Sequence, residues 1–149
     1  MIIIQKNSDD FFKDYKRDTL INTVNCVGAM GKGIALEFKK RFPEMFKKYK
    51  ELCDKNEIQI GKMNCFHTPT NLIINFPTKK HWKDSSNYEW IELGLIDLRN
   101  IIELKKLKII RMPALGCSNG QLDFKEVMRL IHKHLDDLNE VSILVFPPH

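Results

Sequence analysis

The sequence predicts one α/β domain in three layers, with a mixed central sheet between two layers of helices. Three observations carry that prediction. Short β-branched runs bounded by turn residues alternate along the chain with amphipathic segments of helical spacing. Two of the strand-to-helix junctions concentrate glycine with asparagine. No repeat, linker or low-complexity tract interrupts the 149 residues, a length suited to a single domain spanning 1–149.

The elements run in order along the chain. Residues 1–5 are β-branched and read as a strand. Residues 9–18 place Phe11, Phe12 and Tyr15 at helical spacing and predict a short helix over a sheet edge. Residues 19–24 form a second strand. Residues 33–41 set Ile34, Ala35 and Phe38 on one helix face. Pro43 interrupts that helix and opens the next, residues 44–53, at its first turn. Residues 63–67 and 72–76 are apolar runs separated by "TPTN", a hairpin. Residues 86–104 predict a long helix whose apolar stripe is Trp90, Leu93, Gly94, Ile96, Leu98, Ile101 and Ile102. Residues 108–112 are a strand ended by Pro113. Residues 123–138 are a helix, and residues 141–146 a last strand.

Composition narrows the function. Hydrophobic content of 43% and charged content of 29% are those of a soluble globular domain. No run approaches the ~20 apolar residues of a membrane span, and the start lacks the basic and long apolar regions of a signal peptide. Cys26, Cys53, Cys65 and Cys117 are scattered and form no C-x-x-C pair, so no zinc site is expected. No carboxylate cluster suggests another metal, and no cofactor is called for. A reducing cytoplasm and a monomer are the expected setting. The net charge of +5 fits either a polyanionic partner or a lysine-rich solvated surface.

The stretch "NTVNCVGAMGKGIALEFKKRFP", residues 22–43, holds two asparagines and three glycines where a strand enters a helix. Ligands of such sheets bind beyond the carboxyl ends of the strands. Gly28, Gly31 and Gly33 let backbone N–H groups approach a ligand, and the helix beginning near Gly33 offers a positive dipole end to phosphate. The amides of Asn22 and Asn25 suit sugar hydroxyls. The plainer reading is a glycine-rich turn satisfied by its own asparagines. The P-loop spacing is absent. A second loop, "PALGCSNGQLD" at residues 113–123, repeats the composition with Gly116, Ser118, Asn119 and Gly120. Two such loops can clamp a diphosphate between them.

Taken together, "NTVNCVGAMGKGIALEFKKRFPEMFKKYK", "IINFPTKKHW", "YEWIELGL" and "MPALGCSNGQLDF" resemble a macrodomain, the α/β/α module that binds ADP-ribose. The resemblance runs from about Leu20 to the end and keeps order and spacing. It is nearest to the antitoxin type that removes ADP-ribose from thymidine in DNA, and more distant from the terminal ADP-ribose protein glycohydrolases. It implies an ADP-ribosyl glycohydrolase acting on ADP-ribosylated DNA, with a cognate ADP-ribosyltransferase toxin as a further partner. ADP-ribose-1″-phosphate, protein-linked ADP-ribose and a non-catalytic reader remain as alternatives. The resemblance makes Gly31, Lys32, Gly33, Ile34 and Ala35 one diphosphate loop. Leu115, Gly116, Cys117, Ser118, Asn119, Gly120 and Gln121 are the other. Asn22 and Asn25 fall near the distal ribose and the scissile bond, and Asn7 and Ser8 near the adenine. Protein-directed relatives carry a catalytic aspartate inside the second loop, where this chain has Gly120; Asp123, three positions later, reads as a helix N-cap.

The segment "NFPTKKHWKD", residues 75–84, leaves a strand and sets lysines, a histidine and a tryptophan on a loop. The resemblance singles out Lys79 as catalytic. A neutral amine can attack the anomeric carbon of an opened ribose, given a lowered pKa from burial and from neighbours such as Lys80 and Lys83. A protonated one can instead donate a proton to the leaving base. Lys80, His81, Trp82 and Lys83 are candidate nucleic-acid contacts, with basic and aromatic groups interleaved as single strands require. Trp82 either stacks on a base or packs beneath the following helix. Cys117 has no base beside it that would make it a nucleophile.

Overall fold

A computed structural model describes residues 1–149 of the protein. Ten regular elements alternate as the sequence pattern requires. They are β1 (Ile2–Ile4), β2 (Thr19–Asn25), α1 (Gly33–Arg41), α2 (Pro43–Asp54), β3 (Asn64–His67), β4 (Leu72–Lys79), α3 (Tyr88–Lys105), β5 (Ile109–Met112), α4 (Phe124–Leu135) and β6 (Ser142–Val145). The strands form one six-stranded sheet in the order β1-β6-β5-β2-β4-β3. All neighbours are parallel except β3, which returns antiparallel against β4 with His67 opposite Leu72.

Strand alternation decides which helices cover which face. In β2, Leu20 and Val24 join the cluster closed by Phe38 of α1 and Met45, Tyr49 and Cys53 of α2. Ile21 points the other way, into the cluster closed by Ile91, Leu95, Leu98 and Ile102 of α3 and Val127, Ile131 and Leu135 of α4. The result is a three-layer α/β/α domain. Helix α3 lies unusually close to the sheet. A Cβ on Gly94 would overlap the Phe76 ring, so only glycine fits there. No helix is long and apolar enough to cross a membrane.

Three local expectations need correction. Residues 9–18 are not a helix. A single 3-10 turn, Ser8–Asp10, is followed by turns, because Arg111 takes the carbonyls that a helix would use. Its guanidinium donates to the carbonyl oxygens of Phe11 (2.9 Å), Lys13 (2.6 Å) and Asp14 (3.0 Å), and pairs with Asp18 at 2.8 Å. The buried stripe of α3 is Ile91, Gly94, Leu95, Leu98 and Ile102, while Leu93 and Ile96 stay exposed. Strand β4 runs on through Pro77 and Thr78 to Lys79, where a loop was expected from Pro77 onward. Proline is tolerated because pairing with β3 stops at Asn75, and the register against β2 shifts beyond Val24.

Candidate functional site

Strand β2 is central, flanked by β4 and β5, and its last residue, Asn25, starts the first loop. The Asn25 side chain also organises that loop. Its oxygen accepts from the backbone N–H of Val27 (3.0 Å) and Ala29 (3.3 Å) and from the Tyr49 hydroxyl (2.9 Å); its amide nitrogen donates to the Ala29 carbonyl at 2.8 Å. These bonds fold the chain back on itself at Gly28, which takes φ +87. Met30 is buried and anchors the loop, while Gly31, Lys32 and Gly33 are exposed. No side chain caps α1 at Lys32, so its first N–H groups remain free for an anion at the positive end of the helix dipole. Ile34 and Ala35 lie partly buried in that first turn.

Asn22 lies deeper than expected. It has no exposed surface. Its amide nitrogen donates to Asn75 Oδ1 at 3.1 Å, and Asn75 in turn donates to Asn64 Oδ1 at 3.2 Å, a row of amides across three strands. Its place is beneath the loop, with Met30 Sδ 3.8 Å from its nitrogen, and not at the site's surface.

The second loop follows β5 and Pro113. Leu115 is buried, and Gly116 takes φ +70 with its carbonyl accepting from Leu122 N–H at 2.9 Å. Gly120 lies against that same turn, and a Cβ there would overlap the Gly116 carbonyl oxygen. Glycine at position 120 is therefore a steric requirement of this loop. Ser118, Asn119 and Gln121 are exposed. Asp123 caps α4 by accepting from Lys125 N–H at 3.2 Å. Burial and the neighbouring Asp123 push the Cys117 thiol up to about 11, which removes it as a nucleophile. The two loops face each other: a Cβ on Gly33 would stand 3.4 Å from the Asn119 amide nitrogen.

Lys79, at the end of β4, reaches into this gap. Its ammonium nitrogen donates to the carbonyls of Trp82 (3.1 Å) and Asn119 (3.2 Å). Partial burial lowers its pKa below the usual lysine value; Asp84 opposes that shift and Lys32 adds to it. The cation that assists is thus Lys32 of the first loop, not Lys80 or Lys83. Lys80 turns away, its ammonium 5.5 Å from the Trp90 ring. Trp82 is half exposed and does not pack beneath α3; Lys83 stands over its ring at 5.2 Å, and the His81 ring lies alongside.

Sequence reasoning missed the residues that fasten this segment. Ser86 donates its backbone N–H to the Gly120 carbonyl at 3.0 Å and its hydroxyl to the Thr78 carbonyl. Tyr49 holds Asn25 from α2. Both act through partners distant in sequence, and no local pattern marks them. Asn7 caps the 3-10 turn by accepting from Asp9 N–H, and Ser8 hydrogen-bonds His149 Nδ1. No group of three or more His, Cys, Asp or Glu side chains is placed to hold a metal ion. A separate apolar cleft of about 270 Å³ opens between Phe42, Met45, Phe66 and Pro69. It lies at the β3–β4 turn and the start of α2, the opposite end of β4 from Lys79.

Fold and site together define an α/β/α module with two facing glycine-rich loops and an uncapped helix N-terminus at the carboxyl ends of β2 and β5. Comparison with known proteins makes the class specific: the Macro domain model matches residues 21–131, and the chain belongs to that family. It is 45% identical over 136 residues to a DNA ADP-ribosyl glycohydrolase of Mycobacterium tuberculosis; the match takes in 88% of this chain but only 38% of that relative's length. Among solved structures, it is similar to the macrodomain of Mycobacterium tuberculosis DarG, with a TM-score of 0.93 and 41% identity over 100% of this chain and 99% of that one. It is also similar to the macrodomain of Thermus aquaticus DarG, with a TM-score of 0.89 and 37% identity over 98% of this chain and 97% of that one.

Proposed function

We propose that this domain is an ADP-ribosyl glycohydrolase that removes ADP-ribose from a nucleobase in DNA, with thymidine as the modified nucleoside. The observation that carries the reading is the position of Lys79, whose amine bridges the basic loop and the second diphosphate loop. The diphosphate lies on the free N–H groups of α1 and on the backbone of the second loop. Asn25 sets the first loop's shape, and the distal ribose reaches toward Lys79. Two carbonyls occupy two positions around Nζ, and the position left open aims a proton, or a lone pair when neutral, at the ligand. Lys80, His81, Trp82 and Lys83 take the flanking strand by phosphate contact and stacking. The relatives' activity supports the same reading. The substrate would be supplied by a transferase that ADP-ribosylates DNA, which makes this domain the reversing partner of such a toxin.

The test offers the protein thymidine-ADP-ribosylated single-stranded DNA, ADP-ribosylated protein and ADP-ribose-1″-phosphate, and compares rates of ADP-ribose release. The DNA should be processed fastest. Faster release from either of the others replaces the substrate, and binding without release replaces the enzyme with a reader.

A further inference from the structure

Lys79 is held at the cleft by two backbone carbonyls, those of Trp82 and Asn119. A lysine stem is flexible, so its amine stays at one point only while its acceptors do. The Asn119 carbonyl belongs to the second loop, whose shape the turn between Gly116 and Gly120 sets. The Trp82 carbonyl lies in the turns beyond β4, where no ladder or helix holds it.

The His81 side chain supplies that hold. Its Nδ1 accepts from the backbone N–H of Lys83 at 3.2 Å. That N–H and the Trp82 carbonyl are the two ends of one peptide unit. The unit is planar and trans, so the two groups point in opposite directions. Fixing the N–H on one side aims the carbonyl on the other, toward Lys79 Nζ at 3.1 Å. His81 is itself anchored at both of its flanking peptides. The Lys80 carbonyl accepts from Cys26 N–H of the first loop at 3.2 Å, and the His81 carbonyl accepts from Asp84 N–H at 3.1 Å.

The chain uses this kind of bond elsewhere. Asn7 Oδ1 accepts from Asp9 N–H at 2.9 Å, and Asn25 Oδ1 from Val27 N–H at 3.0 Å, each two residues on. A histidine Nδ1 and an asparagine Oδ1 stand the same number of bonds from the backbone. His81 therefore makes an asparagine's turn. With Nδ1 as the acceptor, the neutral ring carries its proton on Nε2, which leaves that N–H for the phosphate contact proposed above.

We propose that His81 is a positioning residue for Lys79, acting through the peptide between Trp82 and Lys83. It does not touch the reacting atoms. It keeps one of the amine's two acceptors turned toward it, so that the donor left over on Nζ faces the scissile bond. The proposal rests on the glycohydrolase reading above.

The experiment compares wild type, His81→Asn, His81→Phe and His81→Ala in single-turnover release of ADP-ribose from thymidine-ADP-ribosylated single-stranded DNA, with protein in saturating excess. Free ADP-ribose affinity and thermal unfolding are measured on the same samples. His81→Phe keeps a ring beside Trp82 but has no acceptor, and His81→Ala removes both. Each should lose about fivefold to tenfold in rate, the worth of one hydrogen bond, and keep ADP-ribose affinity within about threefold of wild type. His81→Asn restores the acceptor and should recover the rate to within about twofold of wild type. A His81→Asn rate as low as that of His81→Phe overturns the proposal, because the acceptor is then not what matters. Wild-type rates in His81→Phe and His81→Ala overturn it too. So does a loss of ADP-ribose affinity as large as the loss of rate, which assigns His81 to ligand binding. These three results leave the glycohydrolase reading standing. A wild-type protein that binds but releases nothing overturns that reading and this proposal with it.

Discussion

Replacing Gly33 with glutamate puts a carboxylate where the cleft is predicted to hold a diphosphate. The backbone there has φ +56, so any side chain carries a strain of roughly 1–2 kcal/mol, borne by the folded state with or without ligand. The space itself is adequate, because a Cβ at this position would meet nothing nearer than the Asn119 amide nitrogen at 3.4 Å. The protein should therefore fold with a modest loss of stability. Binding is another matter. Two unit charges of like sign about 4 Å apart at an effective permittivity near 20 repel by about 4 kcal/mol. Gly33 is exposed, and salt screening takes away about half of that. Roughly 2 kcal/mol remains, a loss of about 30-fold in affinity. Gly33→Ala shares the backbone strain without the charge and should change affinity by less than about threefold. Titration calorimetry with ADP-ribose, beside thermal unfolding of each variant, measures both quantities. A folded Gly33→Glu protein that binds ADP-ribose as wild type does would refute the placement of the diphosphate.

Gly94→Ala should destabilise the fold by about 1–3 kcal/mol in urea unfolding, because the added methyl overlaps the Phe76 ring. ADP-ribose affinity per folded molecule should not change. Arg111→Met leaves Asp18 without its partner in a site where both side chains are at most 14% exposed, and frees the carbonyls it holds. A loss of about 3 kcal/mol or more in unfolding, with faster proteolysis within residues 8–18, is expected. DNA contacts through Lys80, Trp82 and Lys83 release counterions, so affinity for the modified oligonucleotide should fall more steeply with salt than affinity for free ADP-ribose. Equal slopes would exclude that surface as a DNA contact.

The parts of the fold that were legible were punctuated locally. Gly33 and Pro43 mark the starts of α1 and α2. Residues 9–18 were misread because the helical spacing of Phe11, Phe12 and Tyr15 is equally satisfied by turns. The deciding residue is Arg111, roughly a hundred residues away in sequence, which collects the carbonyls. Pro77 suggested a strand end, and only the shorter β3 alongside explains why β4 continues. In the site, glycine content marked both loops, but sequence could not tell an asparagine lining a cleft from one buried beneath it. Asn22 belongs to the row with Asn75 and Asn64, a relation set by strand register. The neighbours of Lys79 were equally hidden, since Lys32, Asp84 and Asn119 come from three segments.

The central claim is that Lys79 acts at the scissile bond and not in holding ADP-ribose. Single-turnover release of ADP-ribose from thymidine-ADP-ribosylated single-stranded DNA by wild type, Lys79→Ala, Lys79→Arg and Lys80→Ala tests it most directly. Burial lowers the Lys79 pKa. If its ammonium is the proton donor, the wild-type rate falls as pH rises through that lowered value; an attacking amine would make the rate rise instead. The first behaviour is expected. So is a loss of hundreds-fold or more in Lys79→Ala with ADP-ribose affinity within a few-fold of wild type, and a far smaller loss in Lys80→Ala. Full activity in Lys79→Ala, or the larger loss in Lys80→Ala, would contradict the claim.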